Sequence, residues 1–240
     1  MKDAADLPAL VLLPGLDGTG KLFREFVRTL GPGVDSRVVA YPSDQPLGYS
    51  ELEALVLAAL PRDRAFVLLG ESFSGPLAIR IAAQSPAGLA ALILCGTFAQ
   101  NPFPWLGWAR PLARYLPLKS LPRWVRAPLM WGSASPQAAP TQQERAMAGV
   151  SHAVIRHRIA ELLAVDATPA LRLVRMPTLV LRARGDRVIS RAATLRILHA
   201  LPSARMVEID GPHLLLQTRA AECAAVVRQF FVELHPRAGE

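Results

Sequence analysis

The chain has 240 residues, a length at which roughly 70–75% of the unfolded surface is buried without help from disulfides or metals. Hydrophobic residues make up 51% and charged residues 19%, which excludes a disordered chain, a collagen-like fibre and a coiled coil. The net charge of +8 comes from 24 Arg and 3 Lys with no block of like charge and no nucleic-acid-binding module, so no nucleic-acid partner is expected.

Met1–Leu7 carries two acids and no apolar core, so no secretory signal is expected. The apolar stretches Pro8–Leu16 and Leu89–Gly96 are too short to span a bilayer. Cys95 and Cys223 stand in apolar contexts and read as reduced core residues of a cytoplasmic protein. Short β-type runs then alternate with helix-length segments, the pattern of a parallel sheet with crossover helices. The predicted strands are Ala9–Leu13, Arg37–Tyr41, Ala65–Leu69, Leu89–Cys95, Thr178–Arg182 and Arg205–Ile209, most of them apolar on both faces. Helices are predicted at Gly20–Leu30, Tyr49–Ala59, Gly75–Ala83, Arg191–His199 and Ala220–Leu234, the second with a capping box of Ser50 and Glu53.

The alternation breaks once, for about eighty residues between Cys95 and Thr178. A structureless loop of that length is improbable inside a compact domain. Residues 97–175 are therefore read as a mainly helical cap over the carboxyl edge of the sheet, inserted in a single domain that covers residues 1–240, with Ala138–Ala164 as its most helical part.

Working groups in open α/β sheets lie beyond the carboxyl ends of the strands. The first strand is followed by LPGLDGTG, Leu13 to Gly20, which has neither the Gly-Lys-Ser/Thr of a phosphate loop nor dinucleotide spacing. Its backbone amides are free to face a ligand, and Asp17 and Thr19 are expected to brace it by side-chain-to-backbone bonds. The third strand is followed by GESFSG and a helix. Strand, small residue, serine, small residue, helix is a nucleophile elbow with Ser72 at its apex, although Ser74 stands where a second glycine is usual. Ser74 as nucleophile fits worse, with Ser72 and Pro76 two places away on either side. A serine nucleophile needs a base, and the base an orienting acid. Asp186 follows the fifth strand in RARGDRVI and His213 follows the sixth in DGPHLLLQ, in the chain order expected of such enzymes. The loop after the fourth strand offers no carboxylate, so the acid falls on Asp186.

LPGLDGTG, GESFSG, RARGDRVI and DGPHLLLQ together resemble the α/β-hydrolase superfamily, in its serine-hydrolase branch, from Ala9 to about Glu233. The resemblance implies Ser72 as nucleophile, His213 as base and Asp186 as its orienting acid, with the backbone amides of Leu16 and Phe73 as oxyanion donors. Pro14-Gly15 stands where many relatives have His-Gly. The family's first two antiparallel strands have no counterpart, which implies a trimmed, six-stranded sheet.

His157 and Glu161 lie four apart but lack a third ligand, so neither a metal nor another cofactor is expected. Glu71, beside the nucleophile, reads either as a tuner of the local field or as a solvated or salt-bridged group. Trp105, Trp108, Trp124 and Trp131 are interleaved with Arg110, Arg114, Lys119, Arg123 and Arg126. They read either as a small core that packs the cap or as an apolar roof lining an acyl site (Trp105, Trp108 and Trp131), its basic rim able to touch a membrane surface. The expected activity is hydrolysis of a carboxylic ester or thioester with an apolar acyl group. An acyltransferase on the same site and a non-catalytic binding protein of the same fold are the alternatives.

Overall fold

The computed structural model describes residues 7–106, 108, 123–132 and 139–234. Its order is β1 (Ala9–Leu13), α1 (Arg24–Leu30), β2 (Ser36–Val38), α2 (Tyr49–Ala59), β3 (Phe66–Glu71), α3 (Gly75–Ala83), β4 (Leu89–Cys95), α4 (Arg123–Trp131), α5 (Ala139–Ala148), α6 (His152–Ala164), α7 (Thr168–Leu171), β5 (Thr178–Ala183), α8 (Arg191–Ala200), β6 (Arg205–Ile209), α9 (Leu215–Thr218) and α10 (Ala220–Leu234). The six strands form one wholly parallel sheet in the order β2-β1-β3-β4-β5-β6. This is the α/β-hydrolase fold.

Strand side chains alternate between faces, and the core divides accordingly. Val11, Leu13, Leu68, Leu92, Leu94 and Val180 point to one side, where Leu52 and Val56 of α2, Leu77 and Ile81 of α3 and Ile197 of α8 cover them. Leu10, Leu12, Val67, Leu69, Ile93 and Leu181 point to the other, against Phe26 of α1 and Val227, Phe230 and Phe231 of α10. Both cysteines are free thiols buried in this second layer.

Three details differ from expectation. The edge strand β2 ends at Val38, not Tyr41: Pro42 offers no amide, and the Tyr41 amide turns to the Gly18 carbonyl at 2.7 Å. The first predicted helix begins only after a 3₁₀ turn at Lys21–Phe23, because Gly20 is left-handed at φ 68. The cap of α2 falls on Gly48, whose amide donates to Glu51 at 3.1 Å, while Glu53 pairs with Arg80 instead of Ser50. Between β4 and β5 the described residues form α4 to α7 and one isolated bridge, Gln100 to Asp166. Arg110, Arg114, Lys119 and the side chains of Arg123 and Arg126 lie outside the described residues. No helix among the described residues is long and apolar enough to cross a membrane.

Candidate active site

The turn after β3 is the most constrained piece of backbone in the site. Ser72 has φ 50, in the left-handed region that side-chain-bearing residues rarely adopt. Close packing explains its shape. A Cβ on Gly70 would stand 2.7 Å from both the Ala78 Cβ and the Ser74 carbonyl oxygen, and one on Gly75 would collide with the Thr97 side chain. The positions that demand glycine are thus 70 and 75. Ser74 is fully buried, donating its hydroxyl to the Pro14 carbonyl and accepting from the Tyr41 hydroxyl at 2.6 Å. A polar pocket, not open space, accommodates the serine where a second glycine is usual. Thr97 Oγ1 donates to the Ser72 carbonyl at 2.5 Å, holding the turn from the β4 side.

The three polar residues singled out at strand ends meet here. Ser72 Oγ lies 3.0 Å from His213 Nε2, and His213 Nδ1 lies 2.9 Å from Asp186 Oδ2. The second pair is nearly dry, with 4% and 2% of the two side chains exposed. Asp186 Oδ1 accepts from the Val188 and Ile189 amides, each at 2.8 Å, so the carboxylate is fixed by its own loop. A carboxylate facing Nδ1 puts the proton on that nitrogen and leaves Nε2 to accept from Ser72. Gly96, at φ 52, stands behind the imidazole, where an added Cβ would lie 3.8 Å from the ring.

The loop after β1 runs beside the serine: a Cβ added at Gly15 would lie 3.8 Å from the Ser72 Cβ. Its bends are braced as expected: Asp17 Oδ2 accepts from the Thr19 amide at 2.8 Å and its hydroxyl at 2.5 Å. Phe73, on the other side, is buried under Tyr49, whose ring stacks on it at 4.8 Å and whose hydroxyl donates to its carbonyl at 2.9 Å.

A residue the sequence reading missed completes this loop. Arg158 of α6, only 1% exposed, donates through Nη1 to the carbonyls of Leu16 at 3.0 Å and Asp17 at 2.9 Å, and through Nη2 to that of Pro42 at 3.0 Å. Its guanidinium carbon lies 5.5 Å from the centre of the Tyr41 ring. The available signal was an arginine on the apolar stripe of α6, one turn from Val154 and Ile155.

Glu71 is neither solvated nor salt-bridged. It is buried, accepting from Gln217 Nε2 at 2.9 Å and from the Gly15 amide, and burial pushes its carboxyl up to about 7. The Cys95 thiol is likewise held well above its ordinary range by burial.

The tryptophans part company. Trp131 is buried against Leu214, next in chain to His213, with its indole donating to Gln143 at 3.0 Å. The Leu214 amide donates to the Met130 carbonyl at 3.0 Å, so the end of α4 is tied to the histidine loop. Trp105, Trp108 and Trp124 are 62%, 73% and 77% exposed. Glu161 accepts from the Tyr49 amide at 3.1 Å, a structural use of that carboxylate. Among the described residues, no three His, Cys, Asp or Glu are grouped to hold a metal ion.

Comparison with known proteins gives the following likenesses. The sequence model described as the alpha/beta hydrolase family matches residues 10–226. The chain is 28% identical over 230 residues to the polyketide synthase ThaQ of Burkholderia thailandensis, covering 85% of this chain and 11% of that protein, so it spans about a tenth of that relative. Among solved structures, the enol-lactonase of Burkholderia xenovorans LB400 superposes with a TM-score of 0.78 at 18% identity, over 95% of this chain and 92% of that one. An esterase from Exiguobacterium antarcticum gives 0.77 at 15% identity, over 93% and 91%. At these identities the two structures share the fold.

Proposed function

The chain belongs to the alpha/beta hydrolase family, and we propose that it is a serine hydrolase that cleaves carboxylic esters or thioesters without a metal. The observation that carries this reading is the unbroken pair of hydrogen bonds from Ser72 through His213 to Asp186, at 3.0 and 2.9 Å. Ser72 Oγ attacks the acyl carbon as His213 Nε2 takes its proton, and Asp186 stabilises the imidazolium so formed. The carbonyl oxygen becomes an oxyanion held by the Leu16 and Phe73 amides. His213 then protonates the departing alcohol or thiol, leaving an acyl-serine. Water, deprotonated by the same histidine, releases the acid. If an alcohol or amine takes the place of water, the same steps transfer the acyl group.

The acyl group favoured is apolar. Leu16 packs with Val150, Val154 and Ile155, and Leu214, next in chain to His213, packs with Trp131 and Met130. Trp105 and Trp108, largely exposed, are assigned to the outer rim of the segment between β4 and β5, the cap of this reading. A fluorophosphonate that labels Ser72, together with turnover of p-nitrophenyl esters and acyl thioesters, tests the proposal. An unlabelled, inactive chain would favour a non-catalytic binding protein.

A further inference from the structure

We propose that Arg158 is a positioning residue for the oxyanion site, holding the Leu16 amide in place by clamping the main chain on the far side of that residue. The inference rests on the serine-hydrolase reading above and extends it to α6.

An amide acts as an oxyanion donor only if its peptide plane is held before charge develops. The Leu16 N–H lies in the peptide plane it shares with the Gly15 carbonyl, and that plane is hinged at the Leu16 Cα to the one that follows. The plane before that Cα is anchored by the Gly18 amide donating to the Gly15 carbonyl at 3.0 Å. The plane after it has its carbonyl on Arg158 Nη1 at 3.0 Å, and the next carbonyl, of Asp17, shares that nitrogen at 2.9 Å. The second arm of the guanidinium reaches the Pro42 carbonyl at 3.0 Å, so the clamp is fastened to a second piece of backbone.

Two further features suit such a role. Among the described residues, the three acceptors of Arg158 are all main-chain carbonyls, and its Nε is buried without a partner. Gly18, at φ 70, is the second feature. A Cβ on it would fall 2.4 Å from Arg158 Nη1, so the loop has a gap where a side chain would stand and the guanidinium fills it. The planar fork matters as much as the charge, because a lysine ammonium cannot span carbonyls of two separate segments.

Arg158→Lys and Arg158→Met are compared with the wild type for thermal unfolding, kcat and KM on a p-nitrophenyl ester. Inhibition is measured with a trifluoromethyl ketone, which forms an oxyanion on Ser72, and with an unreactive amide of the same acyl chain. The expected result is kcat lowered about 10- to 100-fold in both variants, the cost of a misplaced donor. KM stays within about threefold. Ketone affinity falls by the same factor as kcat/KM, amide affinity does not, and the acid limb of the pH profile is unmoved because His213 and Asp186 are untouched. A folded Arg158→Met with kcat within about threefold of wild type overturns the proposal, as does equal weakening of ketone and amide. If Arg158→Met does not fold, Arg158→Lys carries the same test, and failure of both to fold assigns Arg158 to stability and overturns it. A wild-type chain that neither turns over ester nor labels at Ser72 overturns the underlying reading instead.

Discussion

Ser74 Oγ lies 2.6 Å from the Tyr41 hydroxyl and also holds the Pro14 carbonyl, so the turn after β3 is fastened to the chain leaving both β2 and β1. Two serines of one motif therefore have separate tasks, one facing His213 and the other buried. Ser72→Ala should leave a folded protein without esterase activity. Ser74→Ala should keep much of the activity but lose about 1–3 kcal/mol of stability, since the Pro14 carbonyl and Tyr41 hydroxyl are left unpaired. Thermal unfolding and ester turnover on both variants check this, and an inactive Ser74→Ala beside an active Ser72→Ala would reverse the assignment.

Asp186→Asn should be severe for a reason visible in its two oxygens. Oδ1 is committed to the Val188 and Ile189 amides, so an asparagine that keeps those bonds must turn its NH2 toward His213 Nδ1. That forces the wrong tautomer, and kcat should fall on the order of 10⁴-fold with KM little changed. A drop of less than tenfold in a folded Asp186→Asn would remove Asp186 from the relay.

Glu71 gives a stability prediction with a definite sign. Its folded pKa, raised to about 7 by burial, lies above its ordinary 4.5, so the fold favours the protonated form. Its contribution is intact below pH 4.5 and is lost as pH rises through about 7. Glu71→Gln should therefore unfold later than wild type at pH 8, by up to about 3 kcal/mol for a gap of about 2.5 pH units, with no advantage at pH 4. Equal stability of the two proteins at pH 8 would refute it. Activity should still fall on acidification in Glu71→Gln, because a protonated His213 cannot take the Ser72 proton.

Acyl-chain preference follows from the apolar flanks. Each methylene buried in the transition state contributes up to about 0.8 kcal/mol, roughly fourfold in rate. Across p-nitrophenyl esters of two to twelve carbons, kcat/KM should climb from acetate and level off where the pocket is full. Highest kcat/KM on acetate, with a fall at every added carbon, would end the apolar-acyl reading.

The sheet and the strand-end residues were legible for a shared reason: their signals are local. Ala9–Leu13 and Leu89–Cys95 are apolar runs closed off by Pro14 and Gly96, and Ser72, Asp186 and His213 each stand within four residues of the end of a strand. Arg158 was not legible, because its acceptors are carbonyls 116 to 142 residues away in sequence, and a carbonyl has no residue type to betray it. The fate of the tryptophans was equally hidden. All four share one composition-rich stretch, yet only Trp131 has Leu214 and Gln143 to receive it. The α2 cap escaped notice because glycine caps with its main chain, leaving Glu51 as the sole side-chain signal.

The contact between Gly75 and Thr97 also bears on how the strands find one another. β1, β3 and most of β4 are buried on both faces, so a one-residue slip between them exchanges one apolar surface for another with little hydrophobic penalty. Thr97, two residues past β4, fits only where the β3 side offers a residue without a side chain. A slip of one would set Ser74 or Pro76 there and break the bond from Thr97 to the Ser72 carbonyl. The elbow is thus the point where β3 and β4 are counted into step, and a chain that pairs them wrongly has no way to close the turn. On the serine-hydrolase reading proposed above, molecules that misfold by slippage are silent, and ester turnover per molecule becomes a gauge of correct strand pairing.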